Sequence, residues 1–213
     1  MVTMRTGKVV CIGQNYHAHI KELKSEVPTE PVIFLKPSSA LIGNDEPILL
    51  PPGLGRIDYE GELAVIIGKS ARRVSLKTAM KHVEAAAVFN DVTARDVQSK
   101  ARKAGLPWSL AKGMDTFAPM SAPKPLEEVG ELAALKVQTR LNGEMRQNGR
   151  TADMIFPVEE LVAYISKYMT LEPGDVIATG TPEGVGPLKA GDRIEIVIPG
   201  VGKLSNPVSD ASQ

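Results

Sequence analysis

Apolar positions along the chain fall mostly in short runs of the strand type. Residues 8–12 close on Gly13, residues 31–36 (PVIFLK) end in a Pro-Ser-Ser turn, and PILLPP supplies a further short run. After the turn at GLGR, the segment IDYEGELAVIIG ends in β-branched residues, which suit a pleated strand better than a helix. AAVFNDV, GDVIATG, DRIEIVI and residues 203–204 read the same way. Between LKVQTRL and EMRQ lies Asn142-Gly143, the strongest hairpin signal in the chain, because Asn-Gly accepts the positive φ angles of a type I′ turn.

Helical spacing is rarer. A helical pattern starts at Asn15 and runs to about residue 24. Leu76, Ala79, Met80, Val83 and Ala87 recur at helical intervals and predict an apolar stripe. Thr93, with Asp96 three residues on, forms a capping-box pattern for a helix that fades near Gly105-Leu106-Pro107. Pro157 opens another, with Glu159 and Glu160 in its first turn and Val158, Leu161, Val162, Ile165, Tyr168 and Met169 on one face. The pattern predicts one α+β domain over residues 1–213, strand-rich, without repeats or linkers.

Composition narrows the function. Lys+Arg and Asp+Glu both total 25 in 213 residues, so there is no basic footprint for nucleic acid. Apolar content of 43% excludes a disordered chain, and no apolar run approaches membrane-helix length. The 19 Gly and 16 Pro favour turns over a helical bundle. A single cysteine, Cys11, cannot form an internal disulfide, and no leader pattern precedes the first strand, so a cytoplasmic protein is expected.

Three acids carry the candidate chemistry. Glu60 and Glu62 are two apart on one strand and share a face, and Asp91 ends another strand. On a strand this apolar, paired carboxylates are costly without a cation between them, and an all-oxygen set suits Mg²⁺ or Mn²⁺ better than zinc. A solvated strand face accounts for the Glu-x-Glu spacing equally well. His19 and Glu22 share a helix face, the arrangement that orients an imidazole as a base, although a solvated His on a charged helix has the same spacing. His17 and His82 read as surface residues. Lys36 and Lys112 are either snorkelling lysines or cations for an anionic substrate. TGTPEGVG (residues 179–186) is a Gly-rich loop able to present N–H groups to an anion, though it is no P-loop.

In order along the chain, GQNYHAHIKE, EPVIFLKPSSAL, DYEGELAVIIGK, FNDVTARDVQ, GLPWSLAKGMDTFAP, LNGEMRQNG, TADMIFPVEELVAYIS and TLEPGDVIATGTPEGVGPL resemble the fumarylacetoacetate hydrolase family, over roughly residues 8–208. The similarity is greatest to its short, acylpyruvase-type members. It implies a mixed β-roll with peripheral helices, an N-terminal lid helix, a Mg²⁺ or Mn²⁺ ion and a homodimer. It assigns the metal to Glu60, Glu62 and Asp91, the catalytic base to His19 with Glu22, and substrate contacts to Lys36, Arg95, Gln98 and Thr181. Lys112 matches the lysine of the LAK motif and is expected to act in catalysis.

The activity implied is metal-dependent hydrolysis of the C–C bond of a 3-acylpyruvate such as fumarylpyruvate or acetylpyruvate. The alternatives are oxaloacetate decarboxylation or tautomerisation and 2-hydroxyhepta-2,4-diene-1,7-dioate isomerisation on the same site. A non-catalytic binder of 2-oxo acids stands as the reading from another class. Two departures bear on the substrate: Asp58-Tyr59 replaces the His residues of near acylpyruvase relatives, and Gly61 is small where a bulkier residue is common.

Overall fold

The apolar run Gly61–Ile67 lies inside a six-stranded sheet whose order is Lys124–Pro125, Val83–Asn90, Gly61–Ile67, Val176–Ala178, Val9–Gly13, Val32–Lys36. The computed structural model describes residues 7–211. Gly61–Ile67 runs antiparallel to both neighbours, whereas Val9–Gly13 pairs parallel with Val176–Ala178, so the sheet is mixed. Every residue of Gly61–Ile67 is buried because both faces are covered. Leu63, Val65 and Ile67 enter the larger core, and Ala64 and Ile66 enter a smaller one built largely of alanines, with Cys11 and Phe89. Period-two alternation thus feeds two layers from one strand.

A second, five-stranded sheet (Glu144–Arg150, Lys136–Leu141, Arg193–Ile198, Gly202–Asp210, Ile48–Leu50) supplies Val137, Ile194, Ile196, Ile198 and Leu204 to the larger core. Its hairpin turns at Asn142 and Gly143 with φ of 52° and 86°, the two positive angles that a type I′ turn requires. Among the described residues five α-helices decorate the periphery: α1 (His17–Glu22), α2 (Leu76–Ala79), α3 (Arg95–Lys103), α4 (Ser109–Lys112) and α5 (Val158–Tyr168). The architecture is the strand-rich α+β arrangement expected. Among the described residues no helix is long and apolar enough to cross a membrane.

The helices depart from their expected bounds, each for a local reason. Asn15 does not start α1; its amide instead bonds Phe156 and Thr179 across the chain. The stripe from Leu76 to Ala87 breaks after His82, because Val83 leaves the helical path to pair with Ile67 in the sheet. Leu76, at the start of the stripe, is 52% exposed. No capping box forms at α3: Thr93 Oγ1 donates to the Asp91 carbonyl, and Asp96 accepts the Arg56 N–H from another loop. In α5 the buried face is Val158, Leu161, Val162 and Ile165, while Tyr168 is exposed and Met169 lies past the helix end.

Candidate active site

Glu60 occupies the break between the strands Ile57–Tyr59 and Gly61–Ile67. Its N–H donates to Asn90 Oδ1 at 3.0 Å, and its carbonyl accepts the Asp91 N–H at 2.9 Å. Strand pairing therefore carries Asp91 to the Glu-x-Glu segment. Glu60, Glu62 and Asp91 are all buried, and one carboxylate oxygen from each lies within 4.8 Å of the others.

Cations surround the cluster unevenly. Lys112 Nζ, from α4, is 2.9 Å from Glu60 and 2.6 Å from Asp91, with the Phe34 ring beneath it at 4.7 Å. Arg95, at the start of α3, bonds Glu60 Oε1 at 2.5 Å, Asp58 Oδ2 at 2.8 Å and Gln98 Oε1 at 2.8 Å. Asp58 is fully buried and also takes Arg56, so this acid holds Arg95 in place. Lys36 Nζ spends its three protons on the carbonyls of Val92, Lys112 and Phe117. Although it lies 2.7 Å from Asp91 Oδ1, that oxygen accepts no hydrogen bond. Glu62 has one bond, from the Gly180 N–H at 2.9 Å.

Titration follows the same asymmetry. Burial pushes the Glu60 carboxyl up, but Lys112, Arg95 and His19 together hold it well below the ordinary carboxylate range. Burial, then Asp91 and Glu60, push Glu62 well above it. Lys112 is raised: burial opposes its charge, and Asp91 and Glu60 outweigh burial. A buried oxygen without a donor on Asp91, a Glu62 without a cation and an all-carboxylate set fit a hard divalent ion.

His19 is buried, and its Nδ1 lies 3.1 Å from Glu22 Oε2, as the helix spacing predicts. Both oxygens of Glu22 also face the Gly184 N–H, at 3.2 and 3.3 Å. The Gly-rich loop is thus an anion site whose anions are the protein's own: Gly180 for Glu62 and Gly184 for Glu22. Gly184 has φ of 92°, and a Cβ there would sit 2.1 Å from the Arg146 carbonyl, so no other residue fits. Tyr59 Oη donates to the Gly184 carbonyl at 3.1 Å.

One cavity of about 160 Å³ joins His19, Glu60, Glu62, Arg95, Gln98, Lys112 and Thr181. Glu22 stands behind His19, while Asp91 and Lys36 lie behind Lys112, off the cavity wall. Thr181 Oγ1 donates to the Gly61 carbonyl at 2.9 Å and accepts from Gln147 Nε2 at 2.8 Å. Gln147, buried on the hairpin, also accepts the Gly61 N–H at 3.0 Å and donates to the Pro182 carbonyl at 2.9 Å. Sequence reasoning missed Gln147, Asn15 and Asn90 as supports, and Arg102 and Trp108 as wall residues. Gln147, Asn15, Asn90 and Trp108 lie within the family-like motifs and Arg102 does not, but none carries a spacing signal, because their partners are far along the chain.

The chain resembles known proteins over nearly its whole length. The family model for the fumarylacetoacetate (FAA) hydrolase C-terminal region matches residues 8–209. The mitochondrial oxaloacetate tautomerase FAHD1 of Arabidopsis thaliana is 49% identical over 197 residues, 92% of this chain and 88% of that protein. The structure of fumarylpyruvate hydrolase from Pseudomonas aeruginosa, in complex with Mn²⁺ and pyruvate, superposes with a TM-score of 0.93 at 36% identity, covering 97% of this chain and 91% of the other. The 2-hydroxyhepta-2,4-diene-1,7-dioate isomerase of Mycobacterium marinum gives a TM-score of 0.87 at 41% identity, covering 98% and 77%.

Proposed function

The chain belongs to the fumarylacetoacetate hydrolase family, and from that premise we propose that it is a Mg²⁺- or Mn²⁺-dependent keto–enol tautomerase of oxaloacetate. The observation that carries the reading is His19, backed by Glu22, standing on the same cavity as Glu60 and Glu62. Glu60, Glu62 and Asp91 would hold the ion, which when bound supplies Lewis-acid chemistry toward the oxygens of a 2-oxo acid.

The residues of the chain do the rest. With Nδ1–H donating to Glu22, the free Nε2 of His19 is the base. It takes a proton from C3 of the keto form, and the imidazolium returns one to the C2 oxygen through water, so the exchange is balanced without a co-reactant. Glu22 steadies the charge that develops on the imidazole. Lys112 has two of its three N–H groups on Glu60 and Asp91, leaving one for the substrate. Because Arg95 is fixed by Asp58, it presents Gln98 and its own remaining donors without rearranging. Thr181 has given its proton to Gly61 and serves a ligand only as an acceptor or through its backbone. Lys36 braces Asp91 and α4 and would act on substrate only through them.

Hydrolysis of a 3-acylpyruvate is the second reading, supported by that remaining Lys112 N–H, which would steady an oxyanion while Nε2 deprotonates water. In both, α1 acts as a lid latched by Glu22 to Gly184. A homodimer is part of the proposal: beside the edge strand Val32–Lys36, Leu35, Leu106 and Leu110 are 46%, 60% and 76% exposed.

The test follows oxaloacetate enol decay and the cleavage of acetylpyruvate and fumarylpyruvate with Mg²⁺, wild type against His19→Ala. Metal-dependent enol–keto exchange that disappears in His19→Ala supports the tautomerase. Cleavage of either acylpyruvate without accelerated exchange replaces it with the hydrolase, and neither activity sinks both.

A further inference from the structure

Three cations line the cavity, and two of them are neutralised by the protein. Lys112 is paired with Glu60 and Asp91, and Arg95 with Asp58 and Glu60. The third, Arg102, stands in the last turn of α3, on the same wall as Gln98 and Ser99. Its recorded bond is to a neutral group, Nη1 donating to Ser25 Oγ at 3.0 Å. Among the described residues no carboxylate lies within ion-pair distance of it.

Ser25 follows α1, so this bond ties the guanidinium to the segment that carries His19 and leaves the rest of its donor fork free. The inner end of the cavity, with Glu60 and Glu62, is where a 2-oxo acid group would meet the ion. A cation without a counterion at the outer wall matches a second negative charge at the far end of the same molecule. Resting on the proposed function, we infer that Arg102 is a specificity-determining residue that binds the distal carboxylate of the substrate. The enzyme therefore selects 2-oxo acids with two carboxylates over those with one.

The experiment separates this inference from the reading beneath it. Calorimetry with Mg²⁺ present measures binding of 3,3-difluorooxaloacetate, which has two carboxylates and no C3–H to lose, and of pyruvate, which has one. Wild type is compared with Arg102→Gln and Arg102→Lys, at an exposed position whose loss leaves the core intact. We expect Arg102→Gln to weaken the dicarboxylate roughly tenfold or more, the scale of a lost charged hydrogen bond. Pyruvate affinity should stay within about twofold, and Arg102→Lys should fall between. In turnover, KM for oxaloacetate or fumarylpyruvate should rise in Arg102→Gln while that for acetylpyruvate does not. Equal effects on both ligands, or no effect on either, overturn the role of Arg102. If wild type binds neither ligand in a Mg²⁺-dependent way, the 2-oxo acid reading itself falls, and this inference with it.

Discussion

Gly61 separates two of the proposed metal ligands, and its lack of a side chain is a steric requirement. Its φ is not positive, so alanine would meet no backbone penalty. A Cβ there would nonetheless lie 2.3 Å from Thr139 Oγ1, 3.1 Å from Gln147 Oε1 and 3.3 Å from Ile196 Cγ2. The first distance forces a shift, and Thr139 is fully buried with β-branched stiffness, so the strand has to yield. Overpacking of this kind costs about 1–3 kcal/mol, or roughly 2–12 °C in melting temperature for a chain of this size. Movement of Gly61 also disturbs its bonds to Gln147 and Thr181, so Gly61→Ala should weaken Mg²⁺ binding by about 10–100-fold.

Thr139→Ala removes the clashing atom, and because Thr139 Oγ1 has no hydrogen-bond partner, that change breaks no bond. The double variant should thus recover about 1 kcal/mol relative to the sum of the single variants. Thermal melts and calorimetric Mg²⁺ titrations of all four proteins measure both effects. Wild-type melting in Gly61→Ala, or strict additivity of the pair, would refute the reasoning.

Four further outcomes are expected. Lys112→Met strands two buried carboxylates, so denaturant melts in EDTA should show a loss of about 3–5 kcal/mol, shrinking with saturating Mg²⁺; an equal loss in both buffers counts against the ion. Glu22→Gln should lower turnover by roughly one to two orders of magnitude and leave Mg²⁺ affinity unchanged, since Glu22 stands apart from the triad. Glu62 is raised in the metal-free fold, so its protonated form adds stability that is complete below the unfolded-state pKa and lost as pH rises through the folded value. Metal uptake then competes with that proton, so Mg²⁺ affinity should drop on acidification and the binding enthalpy should become buffer-dependent as it does. Burial pushes the Cys11 thiol up, so alkylation at mildly alkaline pH should require unfolding; modification at the rate of a free thiol would contradict the core placement.

What the sequence made legible follows from range of interaction. Strand alternation, the Asn142-Gly143 turn and the shared faces of Glu60 with Glu62 and His19 with Glu22 depend on neighbours a few residues apart, and all four appear in the structure. Asp91 was legible as a third acid at a strand end but not as their neighbour; the pairing of Gly61–Ile67 with Val83–Asn90 supplies the physical cause. The misreadings share one origin. Thr93, Asp96 and Asn15 have side chains suited to capping, but distant backbone groups claim them first. Val83 keeps helical spacing with Leu76 and Met80, yet sheet pairing decides its conformation. Lys36 could be read either as a snorkelling lysine or as a cation for substrate, and the three carbonyls that take its protons come from across the fold, beyond the reach of spacing. Gly61 looked like a departure, and only the hairpin that delivers Thr139 and Gln147 explains it.

The central claim is that Glu60, Glu62 and Asp91 hold one divalent ion at the floor of the cavity. Titration of Mn²⁺ into EDTA-stripped protein, wild type against Glu62→Gln, tests it most directly, because Glu62 makes only one hydrogen bond within the fold and its loss disturbs little else. The account predicts saturable binding of a single ion per chain in wild type. In the variant, affinity should fall beyond the about 10–100-fold expected for an outer partner, with the melt in EDTA preserved. Equal Mn²⁺ affinity in the two proteins, or no saturable binding in wild type, would contradict it.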